Sequence, residues 1–201
     1  MPNLDFFAKL GLFVAKEFLS LEECRTLCDD VREAEHAPAT IVTDGRSFVD
    51  TSIRSASAAK ASGKISPLLT SRLAQLMPKI ENHFSIPLTQ IERPTYLRYG
   101  VGDYFSAHAD VDVNPPESSS IPHRKISVIL FLNDQSEEES KYTYSGGVLI
   151  LYGVMNNPRG KHYGFPVDAS HGQLIAFPSS TLHEVKPVTG GERFTLVTWF
   201  N

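Results

Sequence analysis

The feature that most restricts the fold is a change of character at Pro87. Beyond it the apolar residues come in short runs rich in Val, Ile, Phe, Tyr and Thr, cut by Gly, Pro, Asn and Asp. Such runs read as strands, and no helix-length apolar period occurs among them. The candidate strands are residues 95–105, 125–132, 148–152, 173–177, 183–187 and 194–200. Several short strands separated by turns, with no internal repeat, point to a sandwich or barrel.

The first part of the chain reads differently. Residues 11–18 read as a short strand. Ser20 with Glu23 forms a capping-box pattern, opening a helix whose apolar face is Leu21, Cys24, Leu27, Cys28 and Val31. Residues 44–53 read as a turn and an extended segment. Ser66 and Pro67 open a second helix, with a face of Leu69, Leu73, Leu76, Met77, Ile80 and Phe84. Residues 114–123, with two prolines and a serine run, and 134–145, with three consecutive glutamates, read as mobile loops. The expectation is a mainly β chain with supporting α-helices (α+β). It is one domain over 1–201, with helical support over about 1–90 and a β core over about 91–201.

Composition narrows the function. The chain has 201 residues, 19 basic and 23 acidic, for a net charge of −4. A nucleic-acid binder usually carries a basic excess or stripe, and neither is present. The N-terminal stretch is broken by Asp5, Lys9, Lys16 and Glu17, so it is not a signal peptide. No segment has the apolar length of a membrane span. Two cysteines, Cys24 and Cys28, lie on one helix face as small core residues. Few cysteines fit a reducing compartment, and the chain reads as cytoplasmic.

His108 and Asp110 carry the chemistry. Side chains two apart on an extended chain face the same way, so one imidazole and one carboxylate converge from a single short segment. His183, at the start of a later strand, is the best third ligand. Two histidines and one carboxylate form a facial triad that leaves open positions, which suits iron(II). Asp112 shares the face and competes with Asp110. The remaining histidines, His36, His83, His123, His162 and His171, read as surface or satisfied structural residues. Arg193 opens the last strand, and Thr195 shares its face. A planar guanidinium with a hydroxyl beside it makes a cradle for a carboxylate.

These residues sit in four stretches, TYLRYGVGDYFSAHAD, RKISVILFLND, YSGGVLILYG and AFPSSTLHEVKPVTGGERFTLVTWF. In order and content they resemble the prolyl 4-hydroxylase-like branch of the 2-oxoglutarate and iron(II) dioxygenases. GLFVAKEFLSLEEC and FVDTSIRSAS resemble that family's entry region. The resemblance implies a double-stranded β-helix (jelly roll, cupin-like) with N-terminal helices packed on the sheet. It implies that His108, Asp110 and His183 hold iron(II), and that Arg193 pairs with the far carboxylate of 2-oxoglutarate beside Thr195. It implies that the Tyr99 hydroxyl helps hold the cosubstrate, and that Arg54, near the mouth, binds a substrate carboxylate.

The implied reaction takes O₂ and 2-oxoglutarate, releases succinate and CO₂, and hydroxylates an unactivated C–H bond. Ascorbate keeps the iron reduced. Prolyl 4-hydroxylases commonly carry lysine where Arg193 stands, which keeps the cosubstrate and loosens the prolyl assignment. Nucleic-acid demethylases carry a second arginine six residues on, where this chain has Trp199. Iron halogenases lack the carboxylate ligand, which Asp110 supplies here. The substrate is a prolyl residue in a protein or peptide, a free amino acid, or another small molecule. Two other readings fit the triad: a non-catalytic cupin-like metal- or ligand-binding module, and a metal-dependent hydrolase or isomerase. Neither needs Arg193 and Thr195.

Overall fold

The computed structural model describes residues 4–43, 46–60, 66–111, 123–155 and 163–201. The competing carboxylate Asp112, most of the 114–123 segment and His162 lie outside those residues.

The elements follow in chain order. Helix α1 is Leu4–Lys9, β1 is Phe13–Ala15 and α2 is Leu21–Glu33. Five short strands come next: β2 (His36–Pro38), β3 (Ile41–Thr43), β4 (Arg46–Phe48), β5 (Arg54–Ser55) and β6 (Ser57–Ala59). Helix α3 is Ser66–Phe84, followed by β7 (Thr95–Tyr99), β8 (Tyr104–His108), β9 (Ile126–Phe131) and β10 (Asp134–Gln135). Then come β11 (Thr143–Gly146), β12 (Leu149–Tyr152), β13 (Gly164–Val167) and β14 (Leu174–Pro178). The last three are β15 (His183–Val185), β16 (Val188–Gly191) and β17 (Arg193–Phe200).

Among the described residues the main sheet runs β1-β14-β9-β17-β7-β6-β2, and a second runs β13-β12-β15-β8-β5. Strands far apart in sequence are neighbours in both, as a jelly roll requires. One face of the main sheet packs on the helices. There Cys24, Leu27, Cys28 and Val31 of α2, and Leu69, Leu73, Leu76 and Ile80 of α3, meet Val128, Leu130, Phe194, Leu196 and Phe200. The other face lines the barrel with Leu97, Tyr99, Ile129, Phe131 and Phe177, joined by Tyr144, Leu149, Leu151 and Val185. The period of two along each strand divides the residues between these cores.

The capping box forms as the sequence predicts: Ser20 Oγ accepts from Glu23 N, and Glu23 Oε2 from Ser20 N. Three expectations change. Residues 95–105 are two strands, because Gly100 to Asp103 make a tight turn. Gly102 has φ of 87°, and the Asp103 carboxylate accepts from Gly100 N at 2.8 Å. The 134–145 segment holds β10 and the start of β11, and its middle is tied to α2. Asp29 accepts from Tyr142 Oη and pairs with Lys141, each at 2.8 Å. The 11–18 strand shortens to β1, which ends before the positive φ of Glu17. Among the described residues no helix is long and apolar enough to cross a membrane.

Candidate iron and 2-oxoglutarate site

The two histidines are brought together by strand pairing. β15 runs antiparallel to β8 with His183 opposite His108, and their rings lie 4.2 Å apart. The register shifts within this pair, so Phe105 lies opposite Val185. An extra residue in β8 therefore turns Phe105 and His108 to the same side. The two rings stack at 3.5 Å. Asp110 follows β8, anchored by its own N–H donating to the Ser179 carbonyl at 2.9 Å. Its oxygens lie 3.6 Å from His108 Nε2 and 3.7 Å from His183 Nε2. One ligand atom from each residue lies within 4.8 Å of the others, close enough to share a single ion.

Hydrogen bonds set the tautomers. His108 Nδ1 lies 2.8 Å from the Ser106 carbonyl, and His183 Nδ1 lies 2.9 Å from the Thr181 carbonyl. A carbonyl only accepts, so each Nδ1 carries the proton and each Nε2 presents a lone pair to the triad centre. Burial pushes the His108 pKa down to about 4, and the adjacent His183 adds to the shift, so the ring stays neutral near pH 7. Burial acts to raise the Asp110 pKa, but the two imidazoles and the Ser127 hydroxyl outweigh it and hold the carboxyl below its usual range. Ser127 Oγ donates to Asp110 Oδ2 at 2.6 Å. The Trp199 indole adds to the lowering, although it makes no hydrogen bond of good geometry.

Arg193 lies deeper. It stands opposite Tyr99 in the β17–β7 pair and is 1% exposed. Its guanidinium faces the rings of Tyr99, Phe131 and Tyr144 at 5.1, 5.5 and 6.0 Å. Nη1 donates to Thr195 Oγ1 at 3.3 Å, while Nε and Nη2 are buried without a partner. A buried cation with open donors is costly unless an anion meets it. His183 packs on Phe177 at 5.0 Å, and Phe177 belongs to the inner core that surrounds Arg193. Triad and cradle therefore open on one interior.

Arg54 lies at the rim, opposite Phe105 in the β5–β8 pair. Its guanidinium sits 4.5 Å over the Phe105 ring, which also stacks on the His108 imidazole. Nη1 donates to the Thr40 carbonyl at 2.8 Å, and Nε is buried and unpaired. His36 is a correction among the histidines: both ring nitrogens are buried and unpaired, so it is neither a surface nor a satisfied residue. His171 is satisfied, with Nδ1 2.9 Å from Asp134. Sequence reasoning missed Tyr144, whose buried hydroxyl lacks a partner beside Arg193. It stands in β11, in the YSGGVLILYG stretch, where no spacing to another site residue singles it out.

Residues 94–201 match the family model described as the 2OG-Fe(II) oxygenase superfamily. The chain belongs to that superfamily. Among curated proteins it is similar to a PKHD-type hydroxylase of Psychrobacter sp. (strain PRwf-1), 30% identical over 107 residues, covering 53% of this chain and 36% of that protein. A PKHD-type hydroxylase of Rhizorhabdus wittichii is 32% identical over 116 residues, 57% of this chain and 45% of that protein. The chain thus spans less than half the length of these relatives. Two solved structures share the fold. The Pseudomonas putida prolyl-4-hydroxylase has a TM-score of 0.72 at 22% identity, covering 98% of this chain and 96% of that one. A Trichoplax adhaerens prolyl hydroxylase, in complex with a hypoxia inducible factor peptide fragment, has a TM-score of 0.69 at 18% identity, covering 98% and 86%.

Proposed function

We propose that this chain, acting as one domain, is an iron(II)- and 2-oxoglutarate-dependent hydroxylase of a peptidyl or amino-acid-like substrate. The observation that carries this reading is Arg193, a fully buried guanidinium with two unpaired nitrogens, opening on the same interior as the triad. A metal site alone has no use for it. A dicarboxylate chelating the metal at one end needs such a partner at the other.

The residues divide the work as follows. His108 Nε2, His183 Nε2 and an Asp110 oxygen would hold iron(II), a donor set suited to that ion. With 2-oxoglutarate and O₂, the bound iron supplies the C–H hydroxylation, and 2-oxoglutarate leaves as succinate and CO₂. Arg193 receives the far carboxylate in two parallel hydrogen bonds, Thr195 adds a hydroxyl, and Tyr99 walls the same cradle. Phe105, stacked on His108, and Phe177, packed on His183, keep bulk water from the ligands. Arg54 turns its remaining guanidinium donors toward a substrate carboxylate or carbonyl at the rim. Ile53 and Leu182, both exposed, adjoin Arg54 and His183 and give a peptide apolar footing. Buried free Cys24 and Cys28 support the reading of a reducing, cytoplasmic setting.

The test is succinate release from 2-oxoglutarate with iron(II) and ascorbate, across proline-containing peptides, free amino acids and related small acids. Stimulation by one class identifies the substrate. A chain that binds both iron and 2-oxoglutarate, yet releases no succinate with any substrate or alone, is the cupin-like binding module instead.

A further inference from the structure

Three buried polar atoms lack partners around the cradle: Arg193 Nε, Arg193 Nη2 and the Tyr144 hydroxyl. The third belongs to a residue that neither motif nor spacing singles out. Tyr144 is 2% exposed and comes from β11, which lies between β10 and β16. Its Cα partner is Gly191, two residues before Arg193, so the register itself carries the ring to the guanidinium. Gly147 lets the two side chains converge. A Cβ there would stand 3.0 Å from Arg193 Cδ and 3.1 Å from Tyr144 Cε2. Its φ of 58° is a conformation that favours glycine.

Burial raises the Tyr144 pKa and the Arg193 cation opposes that rise, so the hydroxyl is a neutral donor lying near the guanidinium. No hydrogen bond of acceptable geometry joins the two. A buried hydroxyl left open costs free energy, so a site that keeps one beside an equally open guanidinium is shaped for an acceptor common to both. A carboxylate has two oxygens and about four lone-pair positions, enough for Arg193, Thr195 and Tyr144 together.

We propose that Tyr144 is a further cosubstrate-binding residue, its O–H donating to the far carboxylate that Arg193 holds. This rests on the 2-oxoglutarate reading above. Tyr144 then helps select a 2-oxo acid with a second carboxylate over one without.

The experiment is anaerobic calorimetric titration of the iron(II)-loaded chain with 2-oxoglutarate, and separately with 2-oxopentanoate, which has a methyl in place of the far carboxylate. Wild type, Tyr144→Phe and Arg193→Gln are compared. Phe keeps the ring and its packing. Loss of one hydrogen bond to a charged acceptor should weaken 2-oxoglutarate binding by about 10- to 100-fold in Tyr144→Phe. Iron affinity should stay at the wild-type value, and 2-oxopentanoate should bind the variant and wild type alike. Wild-type affinity for 2-oxoglutarate in Tyr144→Phe, with Arg193→Gln weakened, overturns the role of Tyr144 and leaves the cosubstrate reading standing. An equal loss for both oxo acids also overturns it, because the ring would then be acting through packing. A wild-type chain that binds no 2-oxoglutarate overturns both.

Discussion

Strands β9 and β17 each present two faces, and the two are built to different rules. On the outward face Ile126, Val128, Leu130, Phe194, Leu196 and Phe200 meet α2 and α3, and every member of that core is apolar or a tyrosine or cysteine. On the inward face stand Ser127, Arg193, Thr195 and Trp199, among Ile129, Phe131 and Val197. The outward face leaves little unsatisfied. The inward face keeps open donors on Arg193 and Trp199. One strand can therefore carry stability on one side and chemistry on the other, because successive residues point to opposite faces. The prediction is a clean separation. Changes to the inward polar residues should damage binding and spare stability, and changes to the outward apolar residues should do the reverse.

The largest effect should follow from breaking the metal end of the inward face. His183→Ala should abolish iron binding and turnover while the unfolding midpoint in urea hardly moves. Near wild-type turnover would disprove the triad. Next comes the cradle. Arg193→Gln should weaken 2-oxoglutarate binding by about two to three orders of magnitude, the equivalent of about 3–5 kcal/mol for stranding one partner of a buried charge pair. Iron should still bind, as measured by metal titration. On the outward face, Leu196→Ala should cost about 2–5 kcal/mol of stability by leaving a cavity, with 2-oxoglutarate affinity unchanged. A large affinity loss there would break the separation.

Two smaller effects sharpen it. Arg193→Lys keeps the charge and loses only the fork geometry, so the affinity loss should be milder than for glutamine. Cys24 and Cys28, in the outward core, have thiols that burial pushes up to about 12. The thiolate is the reactive form, so neither should react with an aromatic disulfide reagent at pH 8 until the chain is unfolded.

The sequence made some of this legible and hid the rest. Long apolar runs such as 125–132 and 194–200 are recognisable because both faces are buried, as β9 and most of β17 show. The strands β2 to β6 are two or three residues each, too short for any periodicity to register, and β2, β4, β5 and β6 are exposed or half-buried. Helix α1, at six residues, escaped for the same reason. His108 and Asp110 were visible because residues two apart on an extended chain share a face, and Arg193 because a charge heading an apolar strand is anomalous. Tyr144 was not visible. Its approach to Arg193 depends on β11 pairing with β16 and on the turn at Gly147, and a single tyrosine among polar residues and glycines carries no signal of its own.

The central claim is that one interior binds iron(II) at the triad and 2-oxoglutarate across it. The direct measurement is the visible absorbance of the wild-type chain under anaerobic conditions as iron(II) and 2-oxoglutarate are added in turn. Chelation of the metal by the oxo acid should produce a new band only when both are present, saturating at one equivalent of each, and Asp110→Ala should weaken or remove it. No band in the wild-type chain, or an undiminished one after His108 and His183 are both replaced by alanine, would contradict the account.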